Sequence, residues 1–239
     1  MTTRSRRAFL ATTFAFAGPS GAQPAIRVGA QGEGLARAKA WRYAGAIVPH
    51  DAMDSSAGLP LLAVEIRLPV YDAKTSLPPR ELIESVAIAA AKRGAERLIV
   101  HGRPCYDGRL DRAALTAKTI ALNTSGRLCM TYRLGLRYRN GRGEFGGNAL
   151  EMEEMMKRAN PQLVGVAFDA AECKRAGADM VNFLARHLNR IDCLIVREWQ
   201  TVDFKPLAAE CKARNWSGWL VQSPPSAEGR RELTRLFGV

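Results

Sequence analysis

Several short apolar runs of this chain end on residues that can do chemistry. Residues 163–168 (LVGVAF) are followed by Asp169 and Glu172, and residues 193–196 (CLIV) by Arg197 and Glu198. Arg139 and Asn140 close the run that begins at Gly135, His101 closes residues 97–100, and Gln222 closes residues 219–221. A positioned carboxylate or imidazole moves protons, and a guanidinium takes a carboxylate or phosphate through two parallel hydrogen bonds. Asp169, Glu198 and His101 are therefore the candidate catalytic groups. Arg139, Arg197, Asn140, Glu172 and Gln222 are the candidates for holding a substrate. The competing reading of the same set is electrostatic: Arg139, Asp169, Arg197 and Glu198 neutralise one another as a buried network, and His101 is a satisfied core residue. His50 falls in a loop. His187 falls near the C-terminus of a helix, where a contact with the helix dipole accounts for it. No SxxK, GxSxG or HExxH pattern occurs, so a hydrolase has no support.

The elements that must position these residues follow from hydropathy. Strands are expected at 27–30, 46–48, 61–68, 97–101, 135–140, 163–168, 193–196 and 219–222. Helices are expected at 35–43, 81–95, 112–132, 149–158, 178–188, 204–214 and 227–237. Near-continuous apolar strands alternating with amphipathic helices predict a parallel sheet covered on its outer face. About eight such units closing on themselves make a TIM (β/α)8 barrel, with irregularity expected in the first two units. The alternative is an open doubly wound sheet, but no GxGxxG follows the first strand. In a barrel the reactive groups belong at the C-terminal strand ends, where the residues named above lie. Alternation along a strand places Arg137 with Arg139 on one face, and Cys193, Ile195 and Arg197 on one face.

The N-terminus reads as an export signal. Ser5-Arg6-Arg7-Ala8-Phe9-Leu10 opens it, a short apolar stretch follows to Gly18, and Ser20-Gly21-Ala22 offers small residues for cleavage. Residues 1–22 are the expected twin-arginine signal peptide and residues 23–239 a single domain. The localisation expected is periplasmic, with the twin-arginine export machinery as a partner and no stable membrane anchor. Lys and Arg number 35 against 23 Asp and Glu; losing the three arginines of the signal lowers the formal charge from +12 to +9. That balance favours anionic small molecules. No run of five like charges and no basic patch interleaved with aromatics argues for nucleic acid. Cys105, Cys129, Cys173, Cys193 and Cys211 show no CxxC spacing, which speaks against zinc. An oxidising compartment permits disulfides, Cys105 with Cys173 being one geometric possibility, while buried free thiols are the expectation for most.

At its strand ends the sequence resembles the xylose isomerase-like TIM barrels, the sugar phosphate isomerase and epimerase superfamily. Tyr138-Arg139-Asn140-Gly141-Arg142-Gly143-Glu144-Phe145 stands where one branch carries a YHNHxFEF-like segment. Residues 163–169 look like the sixth strand with its terminal acid, and Ala176-Gly177-Ala178-Asp179 like the AGADP-type start of the next helix. Residues 193–198 stand where the family has an LLHxKD-type strand. The resemblance covers roughly residues 81–239. It implies a carbohydrate substrate and a divalent metal (Mn, Mg or Zn) held at four strand ends. Of those ligand positions only Asp169 keeps a suitable residue. Arg139 and Gly141 replace two histidine positions, Ile195 a third, and Gln222 or Val221 the last acid. A permanent cation has no lone pair to give. The expectation is therefore no cofactor, with a metal only if the degenerate site still binds one.

Two functions follow. One is an isomerase or epimerase on a sugar-like acid or phosphate, with Asp169 or Glu198 as base and Arg139 and Arg197 as anion clamp. The other is a non-catalytic barrel that binds a carbohydrate, an anionic metabolite or a partner after losing the metal site.

Overall fold

Eight parallel strands close into a barrel in the computed structural model of the chain, which describes residues 26–67 and 71–239. The export signal expected at residues 1–22 lies outside the described residues. In chain order the elements are β1 (Arg27–Gln31), α1 (Leu35–Ala38), β2 (Gly45–Pro49), β3 (Leu61–Ile66), α2 (Arg80–Lys92) and β4 (Arg97–Val100). A two-stranded antiparallel hairpin, β5 (Tyr106–Asp107) and β6 (Arg109–Leu110), precedes α3 (Arg112–Thr131). Then come β7 (Gly135–Arg139), α4 (Gly146–Arg158), β8 (Val164–Asp169), α5 (Ala170–Arg175) and α6 (Met180–His187). The chain finishes with β9 (Ile191–Val196), α7 (Lys205–Ala213), β10 (Trp219–Gln222) and α8 (Ala227–Phe237). The barrel order is β1-β10-β9-β8-β7-β4-β3-β2, so the hairpin stands outside it and the first and last strands close the ring. Among the described residues no helix is long and apolar enough to cross a membrane.

Strand alternation sorts side chains into an interior and an outer layer. The outer layer packs against the helices as the main core; the three methionines Met152, Met155 and Met156 of α4 belong to it. Inside, a middle layer of Ile47, Ala63, Ile99, Ala167, Cys193, Ile195 and Val221 fills the barrel. At the N-terminal pole Arg137 donates through Nε to Asp192 Oδ1 at 2.6 Å, and Arg97 reaches Asp192 Oδ2 at 3.0 Å. A Cβ at Gly165 would lie 2.7 Å from Arg137 Cδ, so β8 needs glycine there to admit this side chain. The C-terminal pole carries the other polar layer.

Helix starts are set locally by acceptor side chains on free backbone N–H groups. Asp111 caps α3, Asp179 caps α6 and Ser226 caps α8. Asp169 ends β8 and its Oδ1 accepts from Glu172 N, which starts α5 at once where the periodicity predicted only a loop. The helix expected over 35–43 stops at Ala38: Arg42 turns to φ 62° and Tyr43 N bonds back to Ala38 O. The hairpin β5–β6 carries too few apolar residues to show in the pattern; Gly108 at φ 67° forms its turn. All five cysteines are buried and free. Cys105 does not meet Cys173: Cys105 N is held by Glu151 of α4, and Cys173 Sγ lies on α5 against Ala178 O.

Candidate functional site

The C-terminal pole of the barrel is organised around one guanidinium. Arg139, the last residue of β7, is only 4 % exposed. Its Nη1 donates to Glu65 Oε1 at 2.6 Å and Gln31 Oε1 at 3.0 Å, and its Nη2 to Asp169 Oδ2 at 2.8 Å. Glu65 of β3 and Asp169 of β8 are fully buried carboxylates. Gln31 of β1 completes the ring by donating Nε2 to Glu65 Oε2 at 2.8 Å. This is the floor of the mouth.

Above the floor lie side chains that reach solvent. His101, just past β4, places Nε2 2.8 Å from Glu65 Oε1 and is 25 % exposed. Arg67, just past β3, donates Nε to Glu65 Oε2 and is 47 % exposed. Arg197, just past β9, lies 3.3 Å from Asp169 Oδ2 and 3.4 Å from Glu172 Oε1, and is 31 % exposed. Glu172 is also claimed by Arg175 at 2.5 Å. Three guanidiniums, those of Arg67, Arg139 and Arg197, thus share two buried carboxylates.

The electrostatics follow from burial and pairing. Burial alone would raise the Glu65 carboxyl; Arg139, with His101 and Arg67, outweighs it and holds the group well below the usual carboxylate range. Burial would lower the Arg139 guanidinium, but Glu65 and Asp169 outweigh it and raise it further. Glu65 is therefore ionised, and an ionised carboxylate only accepts.

The structure gathers some of the sequence candidates and disperses others. His101, Arg139, Asp169 and Arg197 meet at the mouth, with Glu172 at its edge. Asn140 serves the backbone: its Nδ2 donates to Asp169 O at 3.0 Å and its Oδ1 accepts from Asp169 N at 2.8 Å, fastening β7 to β8. Glu198 is exposed at φ 54° and pairs with Arg175, away from the buried carboxylates. Gln222 faces outward, because Val221 is the residue of β10 that belongs to the barrel interior. It accepts from Tyr43 Oη and donates to Ser226 Oγ at 3.2 Å, seating α8. Arg137 shares Arg139's face but lies at the opposite pole. His187 pairs with Glu153 at 3.1 Å. Sequence reading passed over Glu65, Gln31 and Arg67. The signal for the first was available: an acid inside the apolar run LLAVEI needs a buried partner.

The donor set does not fit a divalent cation. Of the four strand ends where the resemblance implies ligands, one holds the Arg139 cation and another Ile195. Gln222 points outward, and Asp169 Oδ2 is already taken by two arginines. Among the described residues no group of three or more His, Cys, Asp and Glu is arranged to hold a metal. Oxygen-ligated Mg or Mn needs several free carboxylate or carbonyl donors, and Zn prefers His and Cys.

No family model matches the chain, and no curated protein matches it in sequence. Solved structures do match the fold. A sugar phosphate isomerase/epimerase from Parabacteroides distasonis ATCC 8503 superposes with a TM-score of 0.66 at 13% identity, over 90% of this chain and 93% of that one. The 3-keto-D-glucoside 4-epimerase YcjR from E. coli gives 0.68 at 13% identity, over 90% and 100%. A xylose isomerase domain protein from Planctomyces limnophilus gives 0.64 at 10% identity, over 90% and 98%. The chain has the fold of the xylose isomerase-like TIM barrels, the fold its strand-end motifs resemble.

Proposed function

We propose that this barrel binds, and acts in the manner of a sugar isomerase or epimerase on, a carbohydrate-derived anionic small molecule at its C-terminal mouth. The observation that carries the reading is a pair of solvent-reaching arginines at that mouth. Arg67 reaches Glu65 through Nε and Arg197 reaches Asp169 and Glu172 through Nη1, which leaves their remaining guanidinium N–H groups without a partner among the described residues. A phosphate or carboxylate held between them takes those donors. The solved relatives, named as sugar isomerases and epimerases, support a carbohydrate as the body carrying that anion. The protein works without a bound divalent metal, and it works in the periplasm after export through the twin-arginine machinery.

A melting-temperature comparison with D-glucose, D-gluconate and D-ribose 5-phosphate tests the reading. The two anions are expected to raise Tm, the shift growing with the logarithm of ligand concentration once that exceeds Kd, and D-glucose to leave it unchanged. Equal shifts with all three, or none, would remove the anion from the account.

A second reading is a non-catalytic barrel that binds its ligand or a partner and has lost the family's metal site. It is favoured by the commitment of both floor carboxylates: neither Glu65 nor Asp169 has an oxygen free of a cation or a backbone N–H.

A further inference from the structure

We infer that His101, with its tautomer set by Glu65, is the single proton-transfer group of this site, and that the chemistry it supports is a metal-independent 1,2-isomerisation of an anionic α-hydroxyaldehyde. The inference rests on the reading above that an anionic carbohydrate enters the mouth.

Glu65 accepts from Arg139 Nη1 and Gln31 Nε2, and from Arg67 Nε, so it has no proton to give. The contact with His101 Nε2 at 2.8 Å is then a donation by the ring. In the neutral imidazole this leaves Nδ1 as the basic nitrogen. Nδ1 makes no hydrogen bond to any described residue, and the side chain is a quarter exposed at the mouth. Glu65 is a positioning residue here. Arg67 bonds the other oxygen of the same carboxylate, so an open guanidinium and the imidazole share Glu65. Arg197 lies across the floor on Asp169.

A substrate with its anionic group on Arg197 can set its carbonyl oxygen toward Arg67 and its hydroxyl-bearing carbon toward His101. Nδ1 takes the proton from that carbon. The C–H electron pair becomes the carbon–carbon double bond of an enediolate, and the carbonyl π pair moves onto oxygen, where Arg67 meets the new charge. The hydroxyl proton crosses to that oxygen within the cis-enediolate. The imidazolium then returns its proton to the former carbonyl carbon while a carbonyl forms at its neighbour, giving the ketose. No oxidant, reductant or metal enters the balance.

The same geometry disfavours epimerisation. Inverting a carbon requires a second group to deliver a proton from the opposite face. The other acids of the floor, Glu65 and Asp169, are buried and fully committed, and Glu172 is shared between Arg175 and Arg197. One base returns its proton to the face from which it took it.

The test follows D-glyceraldehyde 3-phosphate, D-ribose 5-phosphate and D-glucose 6-phosphate by proton NMR in deuterium oxide, using the full chain after treatment with EDTA. Calorimetry on the same samples reports binding. At least one probe is expected to give its ketose with deuterium at the former carbonyl carbon, without added metal. His101→Asn, which keeps a side-chain amide for Glu65, is expected to slow this about 10²- to 10⁴-fold, the usual contribution of a general base, with unchanged Tm and binding. Failure of all three probes to bind overturns the anion reading itself. Binding without exchange, exchange that survives His101→Asn, a requirement for added manganese, or a product inverted at the hydroxyl-bearing carbon overturns the isomerisation alone.

Discussion

Arg139 Nη1, at the end of β7, lies 2.6 Å from Glu65 Oε1, at the end of β3. The two strands are separated in the ring by β4, so this ion pair spans the barrel interior and does not join neighbours. Asp169, on the strand beside β7, takes the other end of the same guanidinium. Where the resemblance implies a metal surrounded by carboxylates, this chain has a side-chain cation surrounded by carboxylates.

Arg139→Met should be costly to stability, because it strands Glu65 and Asp169 as buried charges without their shared partner. Breaking a buried pair in this way costs about 3–5 kcal/mol. Urea unfolding measures it. Loss of ligand binding with full stability would mean that Arg139 acts as a surface clamp, as the sequence alone suggested, and not as the floor.

Arg67→Ala and Arg197→Ala should behave differently from Arg139→Met. Both side chains are open to solvent, so each change should leave the melting temperature nearly intact. Each removes charge-assisted hydrogen bonds worth about 1.5–3 kcal/mol. Affinity for D-ribose 5-phosphate should therefore fall roughly tenfold to a hundredfold by calorimetry.

Acid should unfold the barrel from both poles. Burial would raise Asp192, but Arg137 and Arg97 hold it at about 2, below its ordinary 3.8. Glu65 is depressed as well. A depressed carboxyl contributes stability that is fully present above its unfolded pKa and is lost as pH falls through the folded one. For Asp192 that window runs from 3.8 down to about 2. Urea midpoints measured across it should fall steadily, and Asp192→Asn should remove part of the slope.

Much of the barrel was legible because its strands are apolar enough to mark their own positions. All eight expected strands exist, and Asp169 and Arg139 stand at strand ends as the patterns implied. The cluster at the mouth was legible only in half. A polar residue that follows an apolar run marks a strand end, which points to His101, Arg139, Asp169 and Arg197 but not to Glu65, whose charge lies inside the run. Parity decided Gln222: one residue along a strand exchanges the interior for the outer layer. Glu198 was lost to a left-handed turn after β9, which strand periodicity does not encode.

The thiols should be inert in the folded protein. Burial pushes Cys129, Cys173, Cys193 and Cys211 to about 12 and Cys105 to about 11. Thiolate is the reactive form. Ellman's reagent should find no fast-reacting thiol in the native chain and all five in guanidinium chloride. A fast native thiol would show that one of these sites opens.

Guanidiniums, and not a divalent metal, are proposed to receive an anionic carbohydrate at the mouth. Calorimetric titration of D-ribose 5-phosphate into EDTA-treated protein, repeated with manganese and with the Arg67→Ala/Arg197→Ala double variant, tests this. The expected result is binding that manganese leaves unchanged and the double variant abolishes. Binding that appears only with manganese, or that survives loss of both arginines, would rule out the arginine clamp.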